Sequence, residues 1–287
     1  MLDQAEALRK LVLASKEEPK EKNVKVFTIT SGKGGVGKSN FVVNLAISLQ
    51  KEGKRVLIFD ADIGMGNDDV LMGIFPRYNI IDVIKDRVSI DDAIVEGPEG
   101  IHLLPGGTGL NNIEDLKKEE RESFISKIDK LEGYDYIFID TGAGINRSVL
   151  AFIASSNEVI FILTPEPTSL TDGYSLIKAL KHFKINTTTN IVVNRVFDKK
   201  EGEKTFEKFN MATEKFLEVS TSYLGCIHED RKLTMAVRSQ TPVVIEYPNS
   251  MAAISIKNIA KKIVGTKEEI KGLGAKGLMN SLFKIFS

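Results

Sequence analysis

Residues 24–40 read VKVFTITSGKGGVGKSN, an apolar, β-branched run that breaks into glycines and then resumes with helix-compatible residues. The pattern Gly32-x-x-x-x-Gly37-Lys38-Ser39 calls for a strand, a tight anion-binding loop and a helix that starts at the loop's end. The backbone N–H groups of Gly34, Gly35, Val36 and Gly37 can then curl around phosphate oxygens, helped by the positive end of the helix dipole. Lys38 is placed to neutralise β- and γ-phosphate charge, and the Ser39 hydroxyl to ligate Mg²⁺, with Asn40 completing the first helical turn. Lys33 is an extra cation, outside the position that touches the chain's own γ-phosphate. It reads either as a solvated surface lysine or as a charge supplied to a neighbouring subunit's nucleotide.

Five further apolar runs follow, at 55–60, 134–140, 158–164, 189–195 and 222–227. Most are apolar nearly throughout, as expected for strands buried on both faces of a parallel sheet. Segments between them read as helices. In 116–131, Leu116, Phe124, Ile125, Ile128 and Leu131 share one face. The expected fold is α/β, a doubly wound, mostly parallel sheet with helices on both faces and its ligand site at the carboxyl ends of the strands.

With 287 residues and 42% hydrophobic content, the chain can bury one substantial core. Lys+Arg and Asp+Glu both number 39, which argues against binding nucleic acid through an overall basic field. The single cysteine, Cys226, forms no internal disulfide and holds no iron–sulfur cluster alone, which favours a reducing compartment. No apolar run approaches the ~18 residues of a membrane span, and the acidic start MLDQAEALRK lacks a signal-peptide core.

Two more strand ends carry acids. FDADIGMGNDD (59–69) places Asp60 and Asp62 on the nucleotide side, one to hold Mg²⁺ or its waters and the other to orient an attacking water. YIFIDTGAG (136–144) ends an apolar strand in Asp140, a further Mg²⁺ residue, with Gly142 and Gly144 able to sense the γ-phosphate. The KGGxGKS form of the loop resembles the deviant Walker A motif of the MinD/ParA family of P-loop ATPases, in which ATP is sandwiched between two subunits. That resemblance favours the trans role for Lys33, makes Asp62 the water-activating residue and leaves Asp60 in the metal shell. It implies that Asn194, with Arg195 beside it in VVNR, reads adenine, and that His228, Glu229 and Asp230 flank the base. Where the family often has proline, this chain has Gly142, and His228 likewise replaces a proline.

The two ends differ from the body. SKEEPKEKN (15–23) reads as a charged linker that tethers residues 1–14, and 24–264 forms the ATPase body. Residues 265–287 begin glycine- and lysine-rich. At ~100° per residue, Leu278, Met279, Leu282, Phe283, Ile285 and Phe286 gather on half of a helix, suited to a bilayer interface or to a groove on the domain itself. MinD-like proteins end in such a membrane-targeting helix. DQAEALR resembles the DQAxxLR element of the MinD-type flagellar number regulators (FlhG, FleN, YlxH). The resemblance implies that Gln4 enters the active site of the signal-recognition-like GTPase FlhF, with Leu8 and Arg9 anchoring the helix, and that flagellar C-ring proteins are further partners. The expectation is a Mg·ATP-hydrolysing, membrane-peripheral cytoplasmic switch that homodimerises on ATP. A division-site MinD and, less well, a ParA-type DNA-segregation ATPase are the alternatives.

Overall fold

A computed structural model describes residues 24–62, 66–107, 123, 127, 131 and 133–265. The 1–14 helix and 15–23 linker, with Gln4, Leu8 and Arg9, lie outside these residues, as do most of 116–131 and the apolar tail residues Leu278, Met279, Leu282, Phe283, Ile285 and Phe286.

An eight-stranded sheet forms the centre, in the order β3-β4-β2-β5-β1-β6-β7-β8. Its strands are β1 (Lys25–Thr30), β2 (Val56–Ala61), β3 (Val95–Glu96), β4 (His102–Leu104), β5 (Tyr136–Thr141), β6 (Glu158–Leu163), β7 (Thr188–Val196) and β8 (Ser222–His228). All pairings are parallel except β3 with β4. The six strands expected from apolar runs are present within two residues at each end, because burial on both faces removes any alternation to misread. β3 and β4 have two and three residues, too few to leave a periodic signal.

Alternate strand residues enter separate cores. Phe27, Ile29, Ile58, Phe138, Ile160 and Val192 pack under α1 (Lys38–Lys51) and the later helix Met251–Gly265. Leu57, Phe59, Ile137 and Ile139 face Ile80–Ile84 and Arg147–Ser155, while Phe161, Leu163 and Val193 face Pro167–His182 and Lys199–Leu217. Helices thus cover both faces, and the carboxyl ends of β1, β2, β5 and β7 are brought to one edge. No helix among the described residues is long and apolar enough to cross a membrane.

Candidate active site

Between β1 and α1 the chain turns through Ser31–Gly37, with Gly37 at φ 95° capping the helix. Gly32 lies so close to the backbone of the Pro167–His182 helix that a Cβ would sit 2.2 Å from the carbonyl carbon of Asp172, so only glycine fits. The loop is braced from three sides. The Gly144 N–H donates to the Ser31 carbonyl at 2.9 Å. The Asn194 amide donates to the Val36 carbonyl at 2.7 Å, and the Arg195 guanidinium to the Gly35 carbonyl at 2.9 Å.

The two lysines of the loop part company. Lys38 is buried, 8% exposed, within reach of Asp140. The Lys33 ammonium sits at the rim, 2.8 Å from a Glu166 oxygen and 3.1 Å from the Thr168 hydroxyl, and both charged side chains are substantially exposed.

Parallel pairing of β2 with β5 sets Asp60 opposite Asp140. Burial pushes the Asp140 carboxyl up to about 6, although the Ser39 hydroxyl donates to it and the Lys38 charge opposes the rise. Asp60 is pushed up to about 7 by burial and then by the neighbouring Asp140 charge, against hydrogen bonds from the N–H groups of Asp62 and Asp68. Asp62 is half-buried beside Gly142, where a Cβ would lie 3.0 Å from its carboxylate. Gly142 therefore leaves Asp62 room at the mouth of the site.

Asp68, the first residue of the short helix Asp68–Met72, was not anticipated as part of this cluster. It is fully buried, neither carboxylate oxygen has a partner among the described residues, and burial followed by the charges of Asp140 and Asp60 raises it well above the usual range. In sequence it belongs to NDD, indistinguishable from acids that cap a turn. Among the described residues no three His, Cys, Asp or Glu side chains converge into a metal cage. An orphaned Asp140 oxygen, buried acids and the Ser39 hydroxyl are the donors a P-loop Mg²⁺ uses, a few oxygens that leave the rest to phosphates and water. The residues fit the ion.

Most of the residues expected to read or flank the base make hydrogen bonds within the fold. Asn194 is 4% exposed, its amide nitrogen given to Val36 and its oxygen accepting the Arg195 N–H at 2.9 Å, so both residues serve as braces for the phosphate loop. His228 Nδ1 meets the Ser255 hydroxyl at 2.9 Å. The Asp230 carboxylate accepts the N–H groups of Lys232 and Ala252, holding two helix starts. The side chains of Asn194, His228 and Asp230 are thus tied to the fold, and among residues 228–230 only Glu229 is exposed. These ties span up to 160 residues, and no local signal announces them.

A family model described as AAA domain matches residues 24–193. The antiactivator FleN of Pseudomonas aeruginosa is 36% identical over 241 residues, covering 84% of this chain and 86% of that protein. The flagellum site-determining protein YlxH of Helicobacter pylori is 36% identical over 268 residues, covering 91% and 90%. The septum site-determining protein MinD of Pyrococcus horikoshii, solved with Mg-ADP, matches with a TM-score of 0.67 at 25% identity, covering 86% of this chain and all of that one (100%). A phosphate loop with two lysines, strand-end acids and this degree of likeness lead to one assignment: the chain belongs to the MinD-like family of P-loop ATPases, with the flagellar regulators FleN and YlxH among its relatives.

Proposed function

We propose that the chain is an ATP-driven switch that sets flagellar number or placement, working as a face-to-face homodimer on the cytoplasmic side of the cell membrane. The observation that carries this reading is the separation of Lys38, inside the cradle, from Lys33, at the rim. A lysine serving only its own nucleotide has no reason to stand outside on Glu166. An exposed ion pair of this kind contributes about 0–1 kcal/mol, so it releases Lys33 at little cost to a facing subunit.

In this reading the loop amides from Gly32 to Gly37, with Asn40 in the first turn, hold the phosphates, while Asn194 and Arg195 keep the loop in shape. Ser39 and Asp140 would hold Mg²⁺, with Asp60 behind them, and the ion would supply positive charge to offset the phosphates. Asp62, at the mouth, orients the attacking water. Lys33 of the facing subunit adds charge to the γ-phosphate, so hydrolysis waits for dimerisation. FleN and YlxH support the flagellar branch. Gln4 would stimulate the GTPase FlhF, with Leu8 and Arg9 as anchors. The tail from Leu278 to Phe286 would bind lipid weakly in one copy and usefully in two. Flagellar C-ring proteins would be further partners in this role.

Size-exclusion chromatography with ATP and with ADP tests the dimer: ATP alone is expected to double the apparent mass. An ATP-bound monomer sinks the reading. The second reading, a division-site protein, is favoured by likeness to septum site-determining MinD. Gln4→Ala separates them. It is expected to leave ATPase activity intact and abolish stimulation of FlhF, and surviving stimulation removes the flagellar N-terminal role.

A further inference from the structure

We propose that Asp68 is a third carboxylate of the Mg·nucleotide site, a positioning residue that holds the cation through its bound waters. The inference rests on the reading above that Mg·nucleotide occupies the loop beside Asp140.

The Asp68 carboxylate makes no hydrogen bond among the described residues. Asp68 opens the helix Asp68–Met72, yet its carboxylate accepts no backbone N–H, and Asn67 occupies the cap position. Both of its oxygens are buried without a partner among the described residues. The charges acting on it most strongly are carboxylates: Asp140, then Asp60, Asp69 and Asp62. Its position is held by its own N–H, which donates to the Asp60 carboxylate, and Asp60 stands opposite Asp140 across β2 and β5. A buried acid aimed at other acids is expensive, and native chains keep such groups where an ion or water completes them.

The donor set selects how the ion is held. Without a three-carboxylate cage among the described residues, direct capture by Asp60, Asp68 and Asp140 together does not fit. Mg²⁺ dehydrates reluctantly and retains several waters in P-loop sites. Those waters donate hydrogen bonds, and the unpartnered oxygens of Asp68 and Asp140 are acceptors waiting for them. The chain gains a nucleotide site tightly coupled to the metal: without the cation, the extra carboxylate opposes the phosphates, and with it the carboxylate helps orient the hydrated ion.

The test is a titration of Mg²⁺ into the full-length chain with fluorescent mant-ADP, for wild type, Asp68→Asn and Asp68→Leu. A second readout is Mn²⁺ binding followed by electron paramagnetic resonance. The expected result is a roughly 10-fold rise in the half-saturating Mg²⁺ concentration in both variants, the usual scale for an outer-shell metal partner. Mn²⁺ binding in the presence of ADP should weaken in parallel. In EDTA, the variants should bind mant-ADP at least as well as wild type. An unchanged Mg²⁺ midpoint, with or without a loss of melting temperature, overturns the proposal and leaves Asp68 a packing residue. If wild type itself binds mant-ADP independently of Mg²⁺, the reading of the site fails and Asp68 falls with it. Should Asp68→Leu not fold, the near-isosteric Asp68→Asn decides alone.

Discussion

At the amino edge of the sheet, Glu158 is 8% exposed, 2.5 Å from the Lys25 ammonium and 2.6 Å from the Asn190 amide. At the carboxyl edge, Asp60, Asp68 and Asp140 are at least as buried, and three oxygens, two of Asp68 and one of Asp140, have no partner among the described residues. The same strands run between the two edges. Glu158 is completed by the fold and Asp60 by the N–H groups of Asp62 and Asp68, whereas Asp68 and Asp140 keep buried oxygens without a partner among the described residues. Buried charge normally requires pairing. An edge where it stays unpaired is an edge shaped for a ligand.

Mutations can break this comparison. Glu158→Ala leaves Lys25 partly buried and uncompensated, and should cost about 3 kcal/mol of stability in urea unfolding without altering ADP affinity. Lys38→Ala should do the reverse. Loss of its charged contacts, about 1.5–3 kcal/mol each, predicts a fall in ADP affinity of about 100-fold by calorimetry with little change in melting temperature. If Glu158→Ala damaged nucleotide binding as much as Lys38→Ala, the division of labour between the edges would be wrong.

The titration of Asp60 sharpens it. Its carboxyl is raised to about 7 in the fold from 3.8. A raised acid contributes stability that is complete below pH 3.8 and lost as pH climbs through about 7, because the folded state must then carry the charge. In EDTA, Asp60→Asn should gain stability relative to wild type between pH 5 and pH 8, measured by urea midpoints. A pH-independent difference would mean the acids at this edge are not competing for protons. The smallest effect on stability is expected at Lys33. Its pair with Glu166 is exposed, so Lys33→Ala should change unfolding by less than about 1 kcal/mol. Its effect should appear in turnover instead, with ATP-dependent dimerisation or hydrolysis abolished. Unchanged hydrolysis in Lys33→Ala would remove the trans role.

Legibility in the sequence followed contact range. The loop from Gly32 to Ser39 and the acid Asp140 were readable because strand, turn chemistry and helix lie side by side in the chain. Asp68 was hidden by its neighbours, since NDD looks like a turn whichever way its side chains point. Asn194 and Arg195 looked like strand-end residues near a base, and their contact with Val36 and Gly35 exists only once β7 lies against the loop. His228 was expected beside the base, and its contact with Ser255 exists only once the helix Met251–Gly265 packs against β8.

By itself, the sequence determined the alternation of buried strands and helices and the phosphate loop, because hydrophobic runs, glycines and helix starts act over a few neighbouring residues. Only the tertiary structure decided which buried acids are satisfied and which are not. Pairing partners such as Lys25 and Glu158 lie far apart in the chain, and the low dielectric that makes an unpaired Asp68 costly arises only when the sheet and helices close around it.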